Sequence, residues 1–124
     1  MNVSFDPAEA ALKNLREGLL VTHPSDLERD GVIQRFEYCY EILWKLAQRI
    51  LTMNEFQAET PREVFRQLGK LNWIENVEDW INFQKSRNET SHEYGKKLAE
   101  KSYQLAKTFL PLAEDLLSKL KDKK

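Results

Sequence analysis

The stretch Asp26–Met53, DLERDGVIQRFEYCYEILWKLAQRILTM, decides the fold. Within it Val32, Phe36, Cys39, Tyr40, Leu43, Leu46, Ala47, Ile50 and Leu51 recur at three-to-four spacing. That period places side chains on one face of an α-helix, so one long helix is expected. Gly31, near its start, costs about 1 kcal/mol relative to alanine, which points to close packing there or to a frayed first turn. Upstream, Asp6-Pro7-Ala8-Glu9 reads as a helix start, with an Asp cap, Pro at the first helical position and Glu three residues after the cap. Leu12, Leu15, Leu19 and Leu20 follow on one side, and Thr22-His23-Pro24-Ser25 closes that helix. Downstream, Thr60-Pro61-Arg62-Glu63 repeats the same grammar and opens a short third helix to about Lys70. A connection from Gly69 to Asn76 leads to a fourth helix, from about Val77 to Tyr94, capped by Asn76 and ended by Gly95. The fifth covers roughly Lys96 to Lys121, and Pro111 inside it should kink the axis. The pattern predicts an all-α protein, an antiparallel bundle of four to five helices.

Composition narrows the function classes. The chain has 124 residues, which suggests a single domain over 1–124. Its 19 basic and 20 acidic side chains leave a net charge of −1, which excludes a globally basic nucleic-acid binder. Any nucleic-acid site must then be a local patch, or be assembled from more than one chain. The lone Cys39 excludes an internal disulfide. His23 and His92 stand far apart with no second ligand at a useful spacing, which argues against a metal site. No apolar run approaches ~18 residues and the N-terminus does not read as a leader, so a cytoplasmic protein without a membrane segment is expected.

The anomaly lies in the fourth helix. With each residue given about 100° of rotation and Arg87 set at zero, Trp80 falls at roughly 20°, Val77 at roughly 80°, Ile81 at roughly 120° and Phe83 at roughly 320°. Lys85, Glu78, Glu89, Asn82, Glu93, Ser86, Asp79 and Thr90 take the far side. Further along, the apolar stripe is continued by Arg87, Asn88, Ser91, His92 and Tyr94. A cation on such a face is costly to bury without partners. The stripe must therefore open onto a cleft or meet another chain, and local rules tend to break where a site makes them break. The plainer alternative is that Arg87 pairs with a core-edge carboxylate and His92 donates to a backbone carbonyl.

Arg87-Asn88-Glu89-Thr90-Ser91-His92-Glu93-Tyr94 resembles the motif of HEPN-fold proteins: Arg, four residues, His, one residue, Tyr. The stretch Arg29 to Glu37, continued through Glu41, Trp44 and Lys45, resembles the long second helix of one HEPN branch, and Thr60 to Arg66 resembles its third. That branch comprises the nucleotidyltransferase substrate-binding proteins, related to the HepT toxins. The resemblance implies a helical bundle that forms a homodimer, with the Arg-to-His stretches of two chains beside one cleft. It implies a metal-independent endoribonuclease without a cofactor, acting on RNA, and a minimal nucleotidyltransferase antitoxin as partner. It further implies that the antitoxin silences the toxin by adenylylating the motif tyrosine, here Tyr94. Other members of the branch serve only as substrate-binding subunits of the transferase.

The residues support that chemistry. Metal-free RNA cleavage uses the 2′-hydroxyl as nucleophile and needs a base, an acid and a cation for the phosphorane charge. An unperturbed histidine titrates near pH 6.5, so a residue of the His92 type suits base or acid at neutral pH. Arg87 can grip two phosphate oxygens, and Asn88 and Ser91 could orient either group or bind phosphate. One chain supplies one motif histidine, whereas the reaction wants two proton-transfer groups; a symmetric dimer would supply both. Trp44, Trp73 and Trp80 read as core or interface, Tyr38 and Tyr40 as core or dimer face, His23 as a loop residue and Cys39 as a small apolar core residue. Glu37 and Glu41, four apart, read as salt-bridge partners of Arg35 and Lys45, and whether either reaches the motif is open.

Overall fold

The computed structural model describes residues 3–89 and 95–124; the side chains of residues 88 and 89 are not described. It contains five helices, α1 (Asp6–Leu19), α2 (Asp26–Met53), α3 (Pro61–Lys70), α4 (Val77–Glu89) and α5 (Gly95–Lys123), and no strand among the described residues. Arg16 pairs with Glu114 and Lys121 with Glu9, so α1 and α5 run antiparallel. Arg35 of α2 donates to the Asn14 carbonyl of α1 at 2.6 Å, as an antiparallel hairpin allows. Ser86 meets Ser102 at 3.1 Å and Phe83 meets Phe109, which sets α4 antiparallel to α5.

The long second helix begins and ends where its period does. Ser25 caps it reciprocally: its Oγ accepts from Glu28 N–H at 3.1 Å, and the Glu28 carboxylate accepts from Ser25 N–H at 2.9 Å. At its C-terminus Glu55 adopts φ 67°. Phe56 N–H bonds the Leu51 carbonyl and Glu55 N–H that of Thr52, the paired bonds of a Schellman stop. The third helix ends the same way, with Asn72 at φ 60° and Trp73 N–H bonding Leu68. Thr60 caps that helix by accepting from Glu63 N–H.

Two local readings change. The cap of α1 is Phe5 rather than Asp6, because the Phe5 carbonyl already accepts from Glu9 N–H at 3.0 Å while its ring is buried. Gly95 is the first residue of α5, with φ 59°, and the stretch 90–94, over which α4 was expected to continue, lies outside the described residues. At Gly31 nothing lies within 4 Å of where a Cβ would sit, so close packing does not explain it. The glycine that packing requires is Gly69, whose added Cβ would stand 2.3 Å from Val77 Cγ2. Only a bare backbone there lets the end of α3 close on the start of α4.

Packed aromatic rings form the centre of the core. Phe36 of α2 lies 5.0 Å from Phe109 of α5 and 6.0 Å from Phe83 of α4. Trp80 stacks on Phe65 of α3 at 4.9 Å and meets Phe83 edge-on at 5.4 Å. Tyr40 packs on Phe65 at 5.7 Å. Such pairs contribute about 0.5–1.5 kcal/mol each beyond their buried area, so the cluster ties α2 to α5 into one unit. Among the described residues no helix is long and apolar enough to cross a membrane.

Two glycine substitutions test this account. Gly31→Ala is expected to raise stability by about 0.5–1 kcal/mol in urea unfolding, since a helical glycine with open space gains propensity at no steric cost. Gly69→Ala is expected to lower it by about 1–3 kcal/mol, the usual penalty of overpacking. Phe109→Ala is expected to cost about 3–5 kcal/mol.

Candidate functional site

The aromatic cluster fixes the azimuth of α4. Trp80 and Phe83 face inward, and Arg87, four residues past Phe83, follows them one turn further along the same side. Ser86, expected on the polar side, is buried against Ser102 of α5. The inward face is thus broader than the wheel suggests, because α5 covers α4 on the Ser86 side as α2 and α3 do on the other.

Arg87 lands at the edge of the core, its side chain 34% exposed. Its Nη1 lies 2.5 Å from Glu41 Oε2 on α2. The same oxygen accepts from Trp44 Nε1–H at 3.2 Å, while Glu41 Oε1 lies 2.9 Å from Lys45 Nζ. Three donors from two helices therefore converge on one carboxylate. Partial burial pushes the Glu41 pKa up, but Lys45, the Trp44 indole and Arg87 together outweigh it and hold the carboxyl below the ordinary glutamate value. The group is ionised at neutral pH. A half-exposed pair of this kind contributes only about 0–1 kcal/mol, so its main effect is to fix where the guanidinium stands.

Beside the pair, Tyr40 is fully buried and its hydroxyl has no hydrogen-bond partner among the described residues. Burial raises its pKa, with Arg87 opposing that shift and Glu41 adding to it, so the phenol is neutral. An unsatisfied buried hydroxyl costs about 1–3 kcal/mol. Gln84 Oε1, one turn before Arg87 on α4, is likewise buried and unpartnered among the described residues. Burial pushes the Cys39 thiol up to about 12, which leaves it unreactive as a nucleophile. No group of three or more His, Cys, Asp or Glu side chains among the described residues could hold a metal ion.

Of the residues expected to form the site, Arg87 is placed at this edge and Asn88 follows it on α4. Ser91, His92 and Tyr94 lie outside the described residues. The plainer reading of Arg87, a core-edge carboxylate partner, is what the geometry contains. Of the two glutamates left open, Glu41 is the one shown bonding the motif arginine, and Lys45 pairs with it as expected. Arg35 instead bonds a carbonyl of α1. Tyr40 enters the core, whereas Tyr38 is 62% exposed. Trp80 is buried, Trp73 is half-buried beneath the Lys123 ammonium, and Trp44 serves as a donor to Glu41. Tyr40 and Gln84 are the additional candidates; their sequence positions fit an ordinary core and carry no signal of unpaired polar atoms.

The chain is thus a small helical bundle of five helices that holds an arginine at one edge on a carboxylate shared with a lysine. The chain belongs to the family described as nucleotidyltransferase substrate binding protein like, whose model matches residues 3–122. A curated relative, the probable ribonuclease HepT of Haemophilus influenzae, is 26% identical over 98 residues, covering 75% of this chain and 67% of the relative. A Thermus thermophilus crystal structure superposes with a TM-score of 0.86 at 31% identity, covering 91% of this chain and 98% of the other. A Haemophilus influenzae structure, described as revealing the fold of a substrate binding domain of a nucleotidyltransferase, gives a TM-score of 0.84 at 25% identity, with 95% and 99% covered.

The carboxylate cluster has a pH signature. A carboxyl whose folded pKa is depressed contributes stability that is present above its unfolded value, about 4.3 for glutamate, and is lost as pH falls through the lower folded value. The difference in melting temperature between the parent and Glu41→Gln is therefore expected to be present at pH 6–7 and to shrink steadily below about pH 4.3. A difference that is unchanged down to acid pH contradicts the ion-pair account.

Proposed function

We propose that this chain is a HepT-like toxin of a HEPN/nucleotidyltransferase pair, a metal-independent endoribonuclease whose active site is completed at a homodimer interface. The observation that carries this reading is the Arg87 guanidinium held at the core edge by Glu41, at the start of an Arg-to-His motif, in a chain similar to a curated protein named as a probable ribonuclease. Arg87 binds the scissile phosphate and stabilises the charge that develops on the phosphorane. His92 of one chain takes the 2′-hydroxyl proton as the 2′-oxygen attacks phosphorus. His92 of the second chain gives a proton to the departing 5′-oxygen. Asn88 and Ser91 orient these groups or bind phosphate. Adenylylation of Tyr94 by the partner transferase adds bulk and negative charge to the motif and blocks phosphate entry.

The family's description and that of the Haemophilus influenzae structure support a second reading, a non-catalytic substrate-binding subunit of a minimal nucleotidyltransferase. Expression separates the two. The toxin reading expects growth arrest on expression alone, relieved by Arg87→Ala or His92→Ala, with RNA cleavage in vitro reduced at least ~100-fold, the order of general acid–base catalysis. Harmless expression with tight binding to the transferase favours the subunit. Intact mass after incubation with the cognate transferase and ATP is expected to rise by one adenylate, and to stay unchanged in Tyr94→Phe.

A further inference from the structure

Two buried side-chain polar atoms lack a partner among the described residues, the Tyr40 hydroxyl and Gln84 Oε1. In sequence each stands close to one member of the Glu41–Arg87 ion pair. Tyr40 directly precedes Glu41 on α2, and Gln84 lies one turn before Arg87 on α4. The Tyr40 hydroxyl lies within electrostatic reach of both charges, and it is protonated and able to donate. The oxygen and nitrogen of an amide have nearly the same shape, so a turned Gln84 places its NH2 donors where Oε1 stands. Both groups are then donors without an acceptor among the described residues, and one partner of the nearby arginine is a carboxylate. A phenylalanine would fill the same space on Phe65 without the unsatisfied hydroxyl.

We propose that Tyr40 and Gln84 are phosphate-binding residues, the inner wall of a seat that Glu41 now closes, and that a phosphodiester enters by displacing the Glu41 carboxylate from Arg87. Arg87 and Lys45 against Glu41 leave one net positive charge, and a phosphodiester, which carries one negative charge, neutralises it. Lys45 keeps Glu41 on its other oxygen and receives it as it swings away. The diester offers more acceptor sites than the carboxylate, enough to satisfy the guanidinium, the phenol and the amide together. The inference rests on the reading of Arg87 as a phosphate-binding residue; RNA is the diester which the toxin reading supplies.

Inorganic phosphate, titrated against the Arg87 side-chain resonance of the full chain, tests the seat without requiring turnover. The parent is expected to bind and Arg87→Ala to lose binding. Tyr40→Phe is expected to bind at least fivefold more weakly while its melting temperature stays level or rises, which a purely structural hydroxyl would not produce. Gln84→Leu is expected to weaken binding in the same direction, and Glu41→Gln to strengthen it at least threefold by removing the competing charge. The seat is overturned if the parent does not bind phosphate, if Tyr40→Phe binds as the parent does, or if Glu41→Gln weakens binding. RNA cleavage, measured alongside, separates the two claims. Phosphate binding that depends on Tyr40 in a chain that leaves RNA intact upholds the seat and removes the ribonuclease reading. Cleavage with phosphate binding indifferent to Tyr40 does the reverse.

Discussion

The packing of Phe36, Phe65, Trp80, Phe83 and Phe109 into one aromatic cluster is the constraint on which the rest of the molecule depends. These rings come from four helices, and each edge-on or stacked contact restricts rotation as well as distance. Because Trp80 and Phe83 are locked, α4 cannot roll, and Arg87 one turn beyond Phe83 has one azimuth to occupy. Because Phe36 is locked, Glu41 on the same helix faces that azimuth. The ion pair is thus a consequence of core packing rather than its cause, which agrees with the small free energy expected of a partly exposed pair.

The fold was legible because its determinants are local. The three-to-four period of α2 is written out in ten buried positions from Val32 to Leu51, and Thr60-Pro61 marks the start of α3 as plainly as any short signal can. What escaped was set by distant partners. Ser86 looks like a solvent-facing residue on a helical wheel, and only the placement of Ser102 on α5 makes its side a buried one. Phe5 displaces Asp6 as the cap because its ring is anchored in the core, a fact that no spacing rule contains. Gly31 and Gly69 look alike in sequence, yet only Gly69 sits against a neighbouring chain segment.

The candidate site divides along the same line. Arg87 stood out because a cation interrupts an apolar stripe, a local violation visible in one helix. Its partner did not, because Glu41 belongs to a different helix and its own neighbours already offered Lys45 at the favoured spacing. Tyr40 left no trace at all, since a tyrosine on a buried face is ordinary until its hydroxyl is found without an acceptor among the described residues.

Net charge is a poor guide to such a site. The −1 of the whole chain is a sum over 19 basic and 20 acidic side chains wherever they stand. At the core edge the count is local: Arg87 and Lys45 against Glu41, two cations to one carboxylate. The carboxylate lets the guanidinium be held at the core edge without the cost of an unpaired buried charge. It also holds the arginine in one orientation, so the proposed binding of an anion there requires little reordering of that side chain. The carboxylate that makes the arginine tolerable to the fold is therefore also the group with which any incoming anion must compete.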